Sequence, residues 1–318
     1  MPVDPFLAPL LPTLPPLPDE IDDFPAFRAQ ETATGEALVN QLAEAAPEIG
    51  SRQVIPIPVD GATIDLHLFT PISAGPHPVH LYLHGGGWVA GSPTHQAVDI
   101  LCAERAAGAG CAVVAVDYRK APEHPFPAGL NDCHAALSWI VEHADDIGVR
   151  ADLITIGGGS AGANLAAGLA LKIRDEGGPR IALQLLEVPA LDLTFSQPSH
   201  QRYATGYGLT LAAAMTSSRY YLATSEGATD PYASPLLAPD LSGLPPAHIM
   251  AAEYDPLRDD GERYAERLAG AGVPVTFSLH RGHIHVSPGF TKVMAAARDW
   301  RAEALTVLRR VTTSATTP

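Results

Sequence analysis

The sequence predicts an α/β fold built on a mostly parallel eight-stranded sheet with helices on its faces. Three observations predict it. Strand-length apolar runs alternate with helix-length amphipathic stretches from residue 79 onward, which is the signature of parallel crossovers. The first two strand-like runs flank Asp60-Gly61, a tight-hairpin dipeptide, so the sheet opens antiparallel. The alternation pauses once, between about Thr194 and Gly227, and implies an insertion over the strand ends.

In order along the chain, a proline-rich arm comes first, and residues 24 to 46 then mix Phe, Leu and Ala with charged positions, predicting one or two short amphipathic helices. Strands follow over Arg52 to Val59 and Ala62 to Phe69, and then Val79 to Leu83. Next are a helix near 94 to 108, strand Cys111 to Val116, a helix near 127 to 143, and strand Leu153 to Ile156. A helix over 161 to 175 leads to strand Ile181 to Val188. After the insertion come strand Ala247 to Ala252, a helix from Asp259 to Ala271, strand Val275 to Leu279 and a final helix after Pro288. The Thr-rich tail after Arg310 reads as frayed.

Composition excludes several function classes. Twenty Lys+Arg against 35 Asp+Glu leave a net charge of −15, a field that repels phosphate backbones and anionic membranes, so no nucleic-acid or membrane partner is expected. Cys102, Cys111 and Cys133 are odd in number and lack C-x-x-C spacing, which argues for buried thiols over disulfides or zinc. The first 20 residues carry no Lys or Arg and are broken by prolines, unlike a secretory signal, and no unbroken 18-residue apolar run occurs; a cytoplasmic location is expected.

The sharpest chemical signal is the apolar strand Leu153 to Ile156 running into Gly158-x-Ser160-x-Gly162 and then an Ala/Leu-rich helix. This is the strand-turn-helix context of a nucleophile elbow, where glycines flank the serine because the turn leaves no room for side chains. The same residues also spell Gly157-x-Gly159-x-x-Gly162, a dinucleotide fingerprint, with Glu187 ending the next strand where a ribose-binding acid would sit. Against that rival, several strands and crossovers precede the motif, whereas such a fingerprint normally opens its domain.

Upstream, Val79 to Leu83 runs into His84-Gly85-Gly86-Gly87-Trp88, and consecutive glycines at a strand end let backbone N–H groups converge on one oxyanion. Gly86, Gly87 and Ala161 are the expected donors. A serine nucleophile needs a base and a carboxylate to orient that base. Asp255 stands just past strand Ile249 to Ala252, with Asp259 reading as the next helix's N-cap. Thirty residues later His280, His283 and His285 offer three bases, and no further ligand group surrounds them at metal spacing. The order Ser, Asp, His is that of the α/β-hydrolase fold.

These motifs, together with Tyr118-Arg119-Lys120-Ala121-Pro122-Glu123-His124-Pro125-Phe126-Pro127-Ala128, Ser234-Pro235-Leu236 and Leu244-Pro245-Pro246, resemble the hormone-sensitive lipase-like family of bacterial esterases from roughly Val79 to His285. The resemblance implies an α/β-hydrolase fold and a serine carboxylesterase acting on short- to medium-chain acyl esters, with no cofactor or metal. It implies Ser160 as nucleophile, Asp255 as orienting acid, His285 as base, and Gly86, Gly87 and Ala161 as oxyanion donors. It also implies a cap drawn from N-terminal helices and an insertion, here residues 1–46 and 194–227, over a core of 47–193 and 228–318. Acyl-pocket lining is expected from Trp88, Leu209, Met215, Tyr220 and Tyr221, and homodimers from the habit of relatives.

Three positions depart from the family pattern: Gly159 where an acid or Thr usually precedes the nucleophile, Val286-Ser287 after the base, and Val188-Pro189 ending the sixth strand. Glu187, on the strand expected beside that of Ser160, is a candidate to supply the missing carboxylate. Two other readings remain at this level: a receptor on the same fold that binds without hydrolysing, and a nicotinamide-dependent oxidoreductase.

Overall fold

The structure, a computed structural model, describes residues 2–13, 18 and 20–314. Parts of the proline-rich arm and the last four residues of the tail lie outside the described residues. Strands β1 (Ser51–Val59) and β2 (Ala62–Thr70) form the expected hairpin, with Gly61 at φ +70°, a turn conformation that favours glycine. They are followed by β3 (His77–Leu83), β4 (Ala112–Val116), β5 (Val149–Gly159), β6 (Ile181–Glu187), β7 (Ala247–Tyr254) and β8 (Val275–Ile284). The eight strands make one sheet in the order β1-β2-β4-β3-β5-β6-β7-β8. β2 runs antiparallel to β1 and β4, and every later pairing is parallel.

The helices are α1 (Phe24–Leu42), α2 (Gln96–Ala109), α3 (Ala128–Glu142), α4 (Ala161–Glu176), α5 (Pro198–Arg202), α6 (Leu211–Leu222), α7 (Arg258–Gly270) and α8 (Ala295–Ser314). Side chains alternate across a strand, so a sheet covered on both faces needs apolar residues at successive positions. Tyr82, Val113, Leu185 and Met250 join the core formed with α2 and α8, including Cys102, Ala106, Trp300 and Leu308. Their neighbours Leu81, Val114, Leu186 and Ile249 join the opposite core with Leu137 of α3, Leu165 and Leu169 of α4 and Tyr264 of α7. Each fully buried leucine of these strands contributes roughly 1.5–3 kcal/mol relative to exposure.

The structure differs from the sequence expectation at several places, among them β7 and β8, which run on to Tyr254 and Ile284. Residues 24–42 form a single 19-residue helix, capped by Asp23, whose carboxylate accepts the Ala26 N–H at 2.9 Å. β5 begins earlier than its apolar run, at Val149, and its register against β3 shifts between Arg150 and Ile154. α8 continues to Ser314, past the point expected to fray, and Thr312 donates to Ala109 O at 3.3 Å. Asp259 lies inside the first turn of α7 and is not its N-cap; it accepts the Ser199 N–H at 2.9 Å and so fastens α5 to α7.

Two anchors hold the N-terminal residues over the carboxyl ends of the strands. Arg28 of α1 donates to Val89 O and Ala121 O at 2.7 and 2.9 Å and grips both carboxylate oxygens of Glu123. Leu7 is fully buried among Leu42, Ile284, Phe290 and Met294, and the Asp4 N–H donates to Gly282 O at 3.1 Å. Among the described residues no helix is long and apolar enough to cross a membrane.

Candidate active site

β5 ends at Gly159 and α4 starts at Ala161, leaving Ser160 alone in the turn at φ 57°, ψ −121°. A non-glycine residue in that region costs on the order of 1–3 kcal/mol, so the surroundings must impose it. They do so by close packing. A Cβ on Gly158 would stand 2.3 Å from Leu83 O, and one on Gly162 would stand 1.9 Å from the same oxygen, so only glycine lets β3 approach the elbow. The Ser160 N–H donates to Glu187 O at 2.9 Å, and Ser160 O accepts the Asn164 N–H at 3.0 Å to begin α4. Gly158 and Gly162 are thereby accounted for by strand–helix approach.

The carboxyl ends of β7 and β8 bring the other two groups to the serine. Asp255 is fully buried one residue beyond β7; its Oδ1 accepts the Leu257 N–H at 2.9 Å, which leaves Oδ2 for His285. His285 Nδ1 lies 2.7 Å from that oxygen, and its Nε2 lies 3.0 Å from Ser160 Oγ. A carboxylate oxygen accepts, so Nδ1 carries the hydrogen and Nε2 is the acceptor that faces the Ser160 hydroxyl.

The other two histidines are engaged elsewhere. His280 packs on Trp300 with ring centroids 4.2 Å apart and lies 3.2 Å from the Glu303 carboxylate. His283 Nδ1 is 2.8 Å from Ser287 Oγ. That hydroxyl already gives its proton to Ile284 O at 2.8 Å, so His283 is the donor. Burial pushes the His283 imidazole down to about 4 and keeps it neutral. Ser287 also accepts the Ile284 N–H at 3.1 Å, which ties the loop immediately around His285.

After β3 the chain turns sharply, with Gly86 at φ +122° and Gly87 at φ +60°. A Cβ on Gly86 would sit 2.3 Å from Ala90 O, and one on Gly87 would sit 2.7 Å from Ser217 Oγ of α6. Among the described residues the amides of Gly86, Gly87 and Ala161 have no hydrogen-bond partner. His84 shapes this loop: Nδ1 contacts Gly85 O at 2.8 Å, and the ring stacks on Tyr118 at 4.2 Å. Burial, aided by Lys120, pushes its pKa down to about 3.

A family model for the alpha/beta hydrolase fold matches residues 80–288, more than half of the chain. The chain belongs to this family. The hydrolase is 43% identical to the esterase LipI of Mycobacterium tuberculosis over 74% of this chain and 73% of that protein. It is 37% identical to the carboxylesterase NlhH of the same organism over 97% and 96% of the two chains. Among solved structures it resembles a hyperthermophilic esterase from Pyrobaculum calidifontis with a TM-score of 0.91 at 34% identity, covering 98% of this chain and 99% of that one. The motifs that resemble the hormone-sensitive lipase-like branch, from roughly Val79 to His285, fall almost entirely within the residues that the family model matches.

Ser160 and His285 open into a cavity of about 470 Å³. Of the five residues expected to line it, Trp88 and Leu209 do. The other three need correction. Met215 is half exposed on α6. Tyr220 Oη exchanges hydrogen bonds with the Ile21 main chain at 3.2 and 3.3 Å, and Tyr221 is buried with its ring stacked on Trp88 at 4.6 Å. The α6 contribution comes instead from Ala214 and Ser217, and much of the wall is α1: Phe27, Glu31, Thr34, Leu38 and Val39. Their spacing, largely i, i+4, i+7 and i+11, is one helix face and was the available signal. Val286, one of the departures from the family pattern, also lines the cavity.

Glu187 pairs with Gly159 in the β5–β6 register, yet its carboxylate is turned to Arg105 and to Trp300 Nε1, the latter at 2.8 Å. Its link to Ser160 is the main-chain bond already described. A Cβ on Gly159 would meet only Tyr82 Oη, at 3.9 Å, so that position is open space and not occupied by the Glu187 carboxyl. Burial pushes the Glu187 pKa up, but Arg105, Arg301 and the Trp300 bond outweigh it and hold the group ionised below the ordinary range. Cys102, Cys111 and Cys133 are buried thiols. Among the described residues no cluster of His, Cys, Asp or Glu is spaced to hold a metal ion.

Proposed function

We propose that Ser160 is the nucleophile, His285 the general base and acid, and Asp255 the orienting carboxylate of a carboxylic ester hydrolase. The observation that carries this reading is the unbroken chain from Asp255 Oδ2 to His285 Nδ1 at 2.7 Å and from His285 Nε2 to Ser160 Oγ at 3.0 Å. As Ser160 Oγ attacks the ester carbonyl, its proton passes to His285 Nε2, and the imidazolium that forms is stabilised by buried Asp255. The negative charge moves to the former carbonyl oxygen, where the free amides of Gly86, Gly87 and Ala161 stabilise it, a contribution of about 2.7–4 kcal/mol per donor in comparable sites. His285 then protonates the departing alkoxide, leaving an acyl-Ser160 ester. Water, deprotonated by His285, releases the acid and restores the serine.

The cap assignment of residues 1–46 and 194–227 belongs to the same proposal. Its support is that Phe27 to Val39 and Phe195 to Ser217 supply much of the cavity wall opposite the sheet. At about 470 Å³ the cavity lies in the lower part of the range for small-molecule sites, which favours short- to medium-chain acyl esters. A cytoplasmic, homodimeric enzyme completes the proposal; cell fractionation and light scattering test those two points. The activity itself is tested with p-nitrophenyl esters from acetate to palmitate. The expected profile peaks at short or medium chains and collapses at palmitate; no turnover on any ester overturns the reading.

A further inference from the structure

We propose that the cavity takes esters bearing a cationic nitrogen, with the Glu31 carboxylate as counter-ion; this rests on the ester-hydrolase reading and names its substrate class. Apart from His285, Glu31 is the one ionisable side chain among the described residues lining the cavity. The remaining wall is largely apolar and aromatic, with Phe27, Trp88, Phe195 and Phe290 supplying rings. An apolar cavity with aromatic faces and a single carboxylate is the chemistry that recognises an alkylammonium group.

None of the usual structural roles explains an acid at this place. Glu31 is the eighth residue of α1, far from the first turn, where a carboxylate would cap amides or meet the helix dipole. Its helix neighbours at i−4, i+3 and i+4 are Phe27, Thr34 and Gly35, none of which is a cation. The nearby cation, Arg28 at i−3, is committed to Val89 O, Ala121 O and Glu123. Among the described residues the Glu31 carboxylate has no hydrogen bond and no ion pair, and half-burial raises its pKa with no positive group opposing the shift. A partly desolvated carboxylate without a partner is unfavourable to the free protein, and a cation entering the cavity relieves that cost. The net charge of −15 adds a long-range field of the same sign.

The test compares butyrylcholine with 3,3-dimethylbutyl butyrate, which has nearly the same shape but carbon in place of the charged nitrogen. The readout is the ratio of kcat/KM for the two esters in the wild type, in Glu31→Gln and in Glu36→Gln, the last removing another acid of α1 that lines a separate groove. The expected result is a wild-type preference for the cationic ester that falls about tenfold in Glu31→Gln, as for a partly screened charge pair. Glu36→Gln should keep the wild-type ratio, and the preference should weaken as salt is raised. Tetraethylammonium should likewise inhibit p-nitrophenyl butyrate hydrolysis competitively, and more weakly in Glu31→Gln. Turnover of the neutral ester without a cationic preference, or with a preference that Glu31→Gln leaves intact, overturns this inference and leaves the hydrolase reading standing. Absence of turnover on both esters and on p-nitrophenyl butyrate overturns that reading, and the inference with it.

Discussion

The main-chain oxygen of Glu187 accepts the amide hydrogen of Ser160 at 2.9 Å, while the Glu187 carboxylate is held by Arg105 and by Trp300 Nε1. The strained turn at Ser160 is therefore fastened to a residue that a buried ion pair fixes in place. Arg105 in turn contacts His80 Nε2 at 3.0 Å and lies over the Tyr82 ring at 4.8 Å, so the network reaches back to β3. Removing one partner of such a pair strands a buried charge. Glu187→Gln is expected to lower unfolding free energy by roughly 3–5 kcal/mol, measured by urea denaturation. A loss below about 1 kcal/mol would mean that the pair is compensated by solvent.

The two glycines on either side of Ser160 should respond oppositely to a methyl group. Gly162→Ala drives a Cβ to 1.9 Å from Leu83 O, which the backbone can accept only by moving β3 or α4. Loss of soluble folded protein, or a destabilisation beyond about 3 kcal/mol, is expected there. Gly159→Ala meets nothing closer than 3.9 Å and should fold with a melting temperature near that of the wild type. Equal behaviour of the two variants in thermal melts would contradict the packing account of the elbow.

Asp255 sets which nitrogen of His285 carries the hydrogen. Asp255→Asn keeps the shape but can present an amide N–H to Nδ1, which then accepts and leaves the hydrogen on Nε2, facing the serine. Turnover of p-nitrophenyl butyrate should fall about 10⁴-fold, as in other triads with this exchange. A loss of less than about tenfold would remove Asp255 from the triad.

His84 and His283 are buried in the neutral form, with folded-state values pushed down to about 3 and about 4. Both lie below the unfolded value of ~6.5, so their contribution is fully present above that pH and is lost as pH falls toward the folded values. Urea midpoints should therefore drop between pH 7.5 and 4.5. His283→Asn, which keeps a donor for Ser287 and removes the titration, should flatten part of that drop. An equally steep fall in the variant would put the acid lability elsewhere.

Much of the fold could be read from strand spacing because burial on both sheet faces leaves continuous apolar runs such as Leu81-Tyr82-Leu83 and Leu185-Leu186. The elbow and the glycine loop were legible for a different reason: at Gly158, Gly162 and Gly86 no other residue fits, so geometry is written into composition. What sequence could not resolve was the direction of side chains on helices whose docking depends on distant parts of the chain. Met215 and Tyr221 sit on the same helix, yet one faces solvent and the other Trp88. The role of α1 in the cavity was hidden likewise, since its position depends on Arg28 reaching Ala121 and Glu123 some 95 residues away. Glu187 was correctly paired with the strand of Ser160, but which face its carboxylate chooses follows from Arg105 on α2, and strand pattern alone does not specify that.

The most direct test of the central claim is covalent capture. One equivalent of a fluorophosphonate should abolish ester hydrolysis, and peptide mass spectrometry should find the adduct on Ser160 alone. Ser160→Ala should neither react nor turn over, with kcat lowered about 10⁶-fold. Hydrolysis that survives in that variant, or inactivation with the adduct on another residue, would contradict the account.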